Sequence, residues 1–251
     1  MIVPPILINK KFKLQLRLLG SDYGGKVICP ELLGANPFVI SGGAGEDISF
    51  DVQIAKLFDA QVVIIDPTPK SEKHWRAVSK RFGKVNEIHY NSSGSQNPKS
   101  YNLHLVNPIH LQFYPYALWE IDDTEISLFP PKNLEHSSFS IDNLQKSSEA
   151  PLKCKTISIE KIMKIYDKNK IDILKLDIEG SEFQVLQSCF SKSIFPNQIL
   201  VEIDEMYYPS LKNYLKSLKI IRLLQNNGYT FIARGNSFDY CAIRKSNIST
   251  K

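Results

Sequence analysis

The sequence lacks the features that mark membrane-spanning, zinc-binding and nucleic-acid-binding proteins. No apolar run reaches the roughly 18 residues that a membrane span needs, and no basic segment precedes the apolar N-terminal stretch, so we expect neither a span nor a secretory signal. The four cysteines form no Cys-x-x-Cys pair, which argues against a zinc site and favours reduced thiols in the cytoplasm. The net charge of +5 is too small and too scattered to predict nucleic-acid binding.

What the chain does contain is a repeated alternation of strand and helix signals over 251 residues, a length that suits one α/β core. β-branched runs such as 61–65 are followed by segments with apolar residues at helical spacing. Such repeats predict a doubly wound, Rossmann-like parallel sheet covered on both faces. Segments 229–233 and 240–243 predict a final antiparallel pair. Segment 111–119 predicts another strand, with 126–129 as its hairpin partner.

Two polar stretches interrupt this alternation and predict loops rather than linkers between domains. Asn, Ser, Gly and Pro dominate the first, and the second is similarly loop-like. We therefore predict a single domain over 36–251 with loop insertions at 91–110 and 130–151, which we expect to shape the substrate pocket. Residues 1–35 are predicted to form a segment that covers the ligand site.

A glycine-rich turn follows the first core strand at Gly42-Gly43-Ala44-Gly45. Glycines let the backbone turn sharply and approach a ligand without a clash from Cβ. Asp66 ends the next strand, 21 residues after Gly45, where its carboxylate can accept hydrogen bonds from a ribose diol. The turn and the acid together predict an adenosine-containing cofactor, and both NAD and S-adenosylmethionine fit that description.

The start of the following helix separates the two cofactors. A dinucleotide site needs the pattern G-x-G-x-x-G, in which the helix N-terminus faces pyrophosphate. Here the third glycine position is Ile48, and Glu46 and Asp47 precede it. Two carboxylates repel pyrophosphate but tolerate a cofactor that bears an amino group and a sulfonium. The sequence therefore favours S-adenosylmethionine.

Three blocks together resemble the FkbM family of methyltransferases. They are Gly43-Ala44-Gly45-Glu46-Asp47-Ile48-Ser49-Phe50-Asp51, Asp66-Pro67-Thr68-Pro69 and Leu174-Lys175-Leu176-Asp177-Ile178-Glu179-Gly180-Ser181-Glu182-Phe183. The resemblance extends over about 20–244. It implies a Class I methyltransferase sheet of seven strands with an antiparallel last strand, and methyl transfer to a hydroxyl oxygen of a small molecule, sugar or other natural product.

The resemblance also implies roles for single residues. Gly43 and Gly45 would border the cofactor, Asp66 would hold the ribose, and Ala117 and Leu118 would flank the adenine. Tyr23 would cover the cofactor or be a packed surface aromatic.

One departure concerns Ser41, which stands where Class I enzymes usually carry an acid before the turn. Recognition of the methionine end would then rest on backbone groups and on Glu46 or Asp47.

A hydroxyl acceptor needs a base, and four carboxylates follow neighbouring strands. Asp177 is the first candidate, either as base or as a contact to the methionine end. Glu179 would give structural support or orient the substrate. Glu202 and Asp204 close the next strand and could join the same cleft, and Glu202 is a further catalytic candidate. The same carboxylates could hold Mg²⁺, but no His or Asn spacing supports a metal site.

His136, within the second predicted loop, resembles a family stretch and is a third catalytic candidate. His74 is expected on a helix surface. An NAD-dependent oxidoreductase and a non-catalytic binding module with the same fold are the competing hypotheses. The expected partner is a small-molecule or glycan acceptor, and the sequence leaves the oligomeric state open, a homodimer included.

Overall fold

The computed structural model describes residues 3–133, 138–143, 147–236 and 238–248. Within these ranges the chain forms twelve strands and five α-helices, with short 3-10 helices in several loops. The strands are β1 (Arg17–Leu19), β2 (Lys26–Ile28), β3 (Phe38–Gly42), β4 (Gln61–Ile65), β5 (Leu111–Tyr114), β6 (Ala117–Leu118), β7 (Glu125–Leu128), β8 (Leu152–Ile157), β9 (Ile173–Leu176), β10 (Gln198–Glu202), β11 (Tyr229–Arg234) and β12 (Asp239–Arg244). The helices are α1 (Ser49–Phe58), α2 (Pro69–Ser79), α3 (Ile159–Ile165), α4 (Glu182–Ser191) and α5 (Leu211–Asn226).

Seven of the strands form the main sheet in the order β11-β12-β10-β9-β3-β4-β5. The central pairs β10–β9, β9–β3, β3–β4 and β4–β5 are parallel, whereas β12 runs antiparallel to both of its neighbours. The predicted seven-stranded sheet with an antiparallel last strand is therefore confirmed. Because the strand order reverses beside β3, the carboxyl ends of β3 and β9 border the crevice where such sheets bind ligands.

The two faces of the sheet carry separate apolar layers, since side chains alternate along a strand. In β3, Phe38 and Ile40 pack in the layer that contains α3, α4 and α5, and Val39 packs in the layer that contains α1 and α2. Residues of β4, β9 and β10 alternate in the same way. Helices thus cover both faces, which confirms the doubly wound arrangement.

A second, three-stranded sheet has the order β6-β8-β7. Here the prediction of a hairpin between 111–119 and 126–129 was wrong. Pro115 has no N–H to donate and interrupts the segment, so β5 joins the main sheet while β6 pairs with β8. Strand β7 also pairs with β8, which sequence analysis did not identify. This small sheet brings Ala117 and Leu118 beside the turn after β3.

Hydroxyl side chains fix the starts of three helices. Thr68, Ser158 and Ser210 each accept a hydrogen bond from the backbone N–H three residues later, at the N-termini of α2, α3 and α5. No helix in the described ranges combines the length and the apolar character needed to cross a membrane.

Candidate active site

A cavity of about 650 Å³ opens at the carboxyl ends of the parallel strands. Its wall includes the turn after β3, the ends of β4, β9 and β10, and the start of β12. The N-terminal segment and both long loops also contribute residues. The glycine turn and the acidic motif after β9, which are far apart in sequence, therefore face one space.

The glycine turn is locked against the end of β9. Gly43 has φ +80° and Gly45 has φ +53°, a region in which side chains with a Cβ are disfavoured. A Cβ on Gly43 would lie only 1.7 Å from the backbone oxygen of Asp177. In addition, the Asp177 N–H donates to the Gly42 oxygen at 3.2 Å. Only glycine fits at position 43, and its backbone holds Asp177 beside the turn.

Asp66 is buried at the cavity wall and braces the turn. One carboxylate oxygen accepts from the N–H groups of Ala44 at 2.8 Å and Gly45 at 2.9 Å. The other accepts from the N–H and the hydroxyl of Thr68, at 2.8 and 2.6 Å. Four donors match the four lone-pair sites of a carboxylate. The observed role of Asp66 is to shape the turn, and its contact with a ribose remains a prediction.

Two of the predicted cofactor residues lie away from the cavity. Ser41 is fully buried in β3 because the alternation of the strand turns its side chain toward the α1 layer, near Asp51. Glu46 does not line the cavity, and its backbone bridges to Ser95 of the first long loop. The predicted contacts of Ser41 and Glu46 with a cofactor are therefore not supported by their positions.

Asp47, by contrast, lines the cavity and ties three segments together. Its carboxylate accepts from the hydroxyl of Ser21 at 2.6 Å, from the N–H of Ser49 at 2.9 Å and from the side-chain amide of Gln96 at 3.2 Å. It thereby connects the N-terminal segment and the first long loop to the start of α1. The turn, Asp47 and Asp66 form one hydrogen-bonded unit.

The remaining predicted cofactor residues border the same space. Ala117 and Leu118 are buried and line the cavity, with Leu118 against Gly42. Tyr23 is 56% exposed, lines the rim and packs on Gly94, where any Cβ would lie within 2.8 Å of its ring. The N-terminal segment thus meets the first long loop over the cavity.

A buried lysine that sequence analysis missed stands opposite the turn. Lys26, on β2, is 4% exposed, and its Nζ lies 3.0 Å from Asp177, 3.7 Å from Glu202 and in direct contact with Asp239. Burial disfavours its charge, but the three carboxylates outweigh that effect and raise its pKa well above the ordinary value. No motif marks Lys26 or Asp239, because the cluster forms only when β2 packs beside β10 and β12.

The acids around Lys26 differ in their protonation. Burial opposes ionisation of Asp177, yet the ammonium groups of Lys26 and Lys175 prevail and lower its pKa. Burial, followed by the charge of Asp177, raises the pKa of Glu202 and raises that of Glu179 to about 7. Asp177 is therefore a weak base, whereas Glu179 exchanges a proton near neutral pH.

The chain bends sharply at Glu179 as it enters α4. Glu179 has φ +54°, unusual for a residue with a side chain, and Gly180 follows at φ +97°. The carboxylate of Glu182 accepts from the N–H groups of Ile178 at 3.0 Å and Gly180 at 2.9 Å, and so holds the bend. The three acids of the motif thus have separate positions. Asp177 and Glu179 line the cavity, and Glu182 supports the loop from behind.

The histidines contribute no described group to the cavity. His136, a predicted catalytic residue, lies outside the described residues. His74 was expected on a helix surface, and that prediction was wrong: it is 6% exposed and its Nε2 lies 2.9 Å from the Tyr101 hydroxyl. Burial lowers the pKa of His74 to about 4, so it is a neutral core residue at physiological pH. Nor do the described His, Cys, Asp and Glu residues form any group of three or more that could hold a metal ion.

A doubly wound seven-stranded sheet with a glycine turn and strand-end carboxylates defines a Rossmann-like protein of the methyltransferase type. Comparison with protein families identifies it further: the family described as Methyltransferase FkbM domain matches residues 43–231. The chain belongs to this family, which confirms the resemblance seen in the sequence. No curated protein and no solved structure matched. The family match starts at Gly43 and ends at Phe231, so Lys26 lies before it and Asp239 lies after it.

Proposed function

We propose that the chain transfers a methyl group from S-adenosylmethionine to a hydroxyl oxygen of a small-molecule or glycan acceptor. The supporting observation is that a single cavity of about 650 Å³ joins the glycine turn to the strand-end carboxylates. A reducing, cytoplasmic setting is part of the proposal, since all four cysteines are free and three of them are buried.

The residues at the turn fit the proposed cofactor. The backbone of Gly43 and Gly45, with Asp66 behind it, would border the nucleoside, and Ala117 and Leu118 offer an apolar wall for the base. Asp47 places a carboxylate at the start of α1, which disfavours pyrophosphate and suits an amino group. These features support S-adenosylmethionine over NAD, the cofactor of the alternative oxidoreductase hypothesis.

S-adenosylmethionine, when bound, supplies a methyl carbon that its sulfonium already activates. The protein must then align the acceptor and take up the hydroxyl proton. We assign the base to Glu179 rather than to Asp177, because Lys26 holds Asp177 as an ion pair with a lowered pKa. Glu179 lines the cavity and its pKa of about 7 suits proton uptake near neutrality. Asp177 then keeps its alternative role, a contact near the methionine end.

Calorimetric titration of the purified protein tests the cofactor. We expect S-adenosylhomocysteine to bind with one site per chain and NAD to show no saturable heat. Binding of NAD without binding of S-adenosylhomocysteine would overturn the proposal in favour of the oxidoreductase. Cofactor binding without methyl transfer to any hydroxylated acceptor would instead support a non-catalytic binding module.

A further inference from the structure

The cavity is strongly acidic although the chain is basic. Eight carboxylates and two lysines line the cavity, whereas the whole chain carries a net charge of +5. A cleft lined mainly by one sign of charge concentrates ligands of the opposite sign. The acidic excess is therefore a local property of the site and points to a cationic ligand group.

The two lysines do not reach every acid. Lys26 contacts Asp177, Glu202 and Asp239, and Lys175 lies 3.9 Å from Asp177 and donates to backbone oxygens of the turn. Among the described residues, no ion pair joins a basic side chain to Glu179 or Asp204. The carboxyl groups that have no basic partner therefore lie beyond the ends of β9 and β10, on the side away from the turn.

Asp204 provides an independent indication. It lines the cavity and is 4% exposed, and one of its carboxyl oxygens has no hydrogen-bond partner in the part of the chain that the structure describes. Leaving a buried polar atom without a partner is costly, so such atoms in native proteins call for an explanation. A ligand donor that reaches Asp204 would supply the missing hydrogen bond.

Aromatic rings surround the same end of the cavity. Tyr207 and Tyr208 come three and four residues after Asp204, line the cavity, and are 42% and 40% exposed. The faces of aromatic rings attract organic cations. An ionised carboxylate accepts hydrogen bonds and donates none, so it suits a ligand group that is a donor. Since the described acids have no arrangement that could hold a metal ion, an ammonium group suits this wall better than a chelated cation.

We propose, on the basis of the methyl transfer proposed above, that the acceptor carries a protonated amine near its reactive hydroxyl. Asp204, flanked by Tyr207 and Tyr208, binds this ammonium. Strands in a sheet lie about 4.8 Å apart, so β10 stands roughly 10 Å from the glycine turn of β3, with β9 and Glu179 between them. The ammonium would thus bind on one side of Glu179 and the cofactor on the other. This order places the hydroxyl of the acceptor at Glu179.

The first experiment compares matched probes on the wild-type protein saturated with S-adenosylhomocysteine. Glucosamine and glucamine are titrated by calorimetry at pH 7, each against its N-acetyl form and its parent alcohol. We expect both amines to bind at least about 10-fold more tightly than their partners, a difference of about 1.4 kcal/mol. Equal or tighter binding of the neutral forms, or no binding of either amine, overturns this proposal. Failure of S-adenosylhomocysteine to bind would overturn the proposed function instead.

A variant assigns the effect to Asp204. Asp204→Asn should reduce the preference for the amine to within about 2-fold, because it removes the charge and keeps the shape. Asp167→Asn is the matched control: Asp167 is exposed, lies in the loop before β9 at the opposite edge of the sheet, and has φ +48°, which Asn tolerates. A preference that survives in Asp204→Asn overturns the assignment, and the wild-type comparison decides the proposal even if this variant fails to fold.

Proton release gives a separate readout. Burial, followed by the charges of the neighbouring acids, raises the pKa of Asp204 well above its ordinary value; the acids that act on it are Glu179, Glu182, Glu202 and Asp177. A bound ammonium favours the carboxylate and lowers its pKa, so a measurable number of protons should be released on binding. Titrations of glucosamine in phosphate and in Tris measure that number from the difference in heat. No proton release in the wild type, or the same release from Asp204→Asn, would count against an ammonium at Asp204.

Discussion

The two ends of the cavity are held together by different physical means. At the turn end, carboxylates are matched to backbone N–H groups; its members are Gly43, Ala44, Gly45, Asp47 and Asp66. At the acidic end, carboxyl groups crowd around Lys26, which contacts three of them; the members of this end are Lys26, Asp177, Glu179, Glu202, Asp204 and Asp239. Asp66 receives four hydrogen bonds, whereas Lys26 contacts three carboxylates.

This difference separates what each end can do. Hydrogen bonds from the backbone fix the geometry of the carboxylates, so the turn end suits the binding of a constant ligand. Burial and crowding raise the pKa values of Glu179, Glu202, Asp204 and Asp239, and that of Glu179 lies at about 7, so the acidic end suits chemistry and recognition of a cation. The two ends meet where the Gly43 backbone touches that of Asp177.

Gly43→Ala should have the largest effect, since it breaks the junction between the two ends. The new Cβ would lie 1.7 Å from the Asp177 oxygen, and the residue would keep φ +80°. We expect binding of S-adenosylhomocysteine to be abolished in calorimetric titration.

Gly83→Ala is the control for Gly43→Ala, because it introduces backbone strain without a steric clash. Gly83 has φ +78° and a Cβ there would meet nothing within 4 Å. It should lose only about 1 kcal/mol of stability, typical of a residue with a Cβ in the left-handed region, and bind normally. Equal binding by the two variants would show that the contact at position 43 does not shape the site.

Sequence predicted the turn end better than the acidic end. Glycines at fixed spacing and an acid after the next strand are local signals, and the structure places Gly43, Gly45 and Asp66 together. Ser41 and Glu46 belong to the same local motif, but neither lines the cavity. Strand alternation turns Ser41 into the core, and the backbone of Glu46 bridges to Ser95.

The acidic end depends on tertiary packing. Asp177, Glu179 and Glu202 were identified because each follows a strand, and neighbouring parallel strands end at one edge. Lys26 has no such signal: its position follows from a short strand that packs across β10 and β12. The overall sheet was predictable from strand and helix periodicity, whereas the pairing of β6 and β7 with β8 depended on a strand that periodicity did not reveal.

Lys26→Met should have the second largest effect. Among the described residues, Lys26 is the only basic side chain that contacts Asp177, Glu202 and Asp239 together. Removing one partner of a buried ion pair costs about 3–5 kcal/mol. The pKa of Asp177 is lowered and that of Lys26 is raised, so their pairing contributes fully at neutral pH. Without Lys26 the acids take up protons more readily, and the deficit should shrink as the pH falls from 7.5 to 5.

Urea unfolding at the two pH values measures this deficit. Lys153→Met is the control, since its ion pair with Glu125 is exposed on both sides and should change stability little at either pH. A deficit for Lys26→Met that does not depend on pH would mean that lost packing, rather than uncompensated charge, is responsible.

Glu179→Gln should lower the rate of methyl transfer on the order of 100-fold, about 2.7 kcal/mol, by removing the base. A base must be deprotonated, so the wild-type rate should rise with pH through about 7 and then level off. Glu179→Gln should lose this rise and keep its affinity for S-adenosylhomocysteine.

Asp177→Asn provides the discriminating comparison. The charge of Asp177 helps to raise the pKa of Glu179, so this variant should retain the rise and shift it to lower pH. If the rise disappears in Asp177→Asn and persists in Glu179→Gln, the base is Asp177, and the assignment made above is wrong.

Thr68→Ala should have the smallest effect and tests how the turn end is held. The Thr68 hydroxyl caps α2 and also donates to Asp66 at 2.6 Å, so the variant loses a cap worth about 1 kcal/mol and one of the four donors to Asp66. Ser210→Ala removes the cap of α5, which lies beside the acidic end through the Asn213–Tyr208 hydrogen bond and makes no described hydrogen bond to the turn end, at a similar cost. Urea unfolding should give similar losses of stability for the two variants, whereas only Thr68→Ala should weaken binding of S-adenosylhomocysteine, by a few-fold. If both bind equally well, the backbone N–H groups of the turn and of Thr68 are sufficient to hold Asp66, and the side chain of Thr68 serves the helix alone.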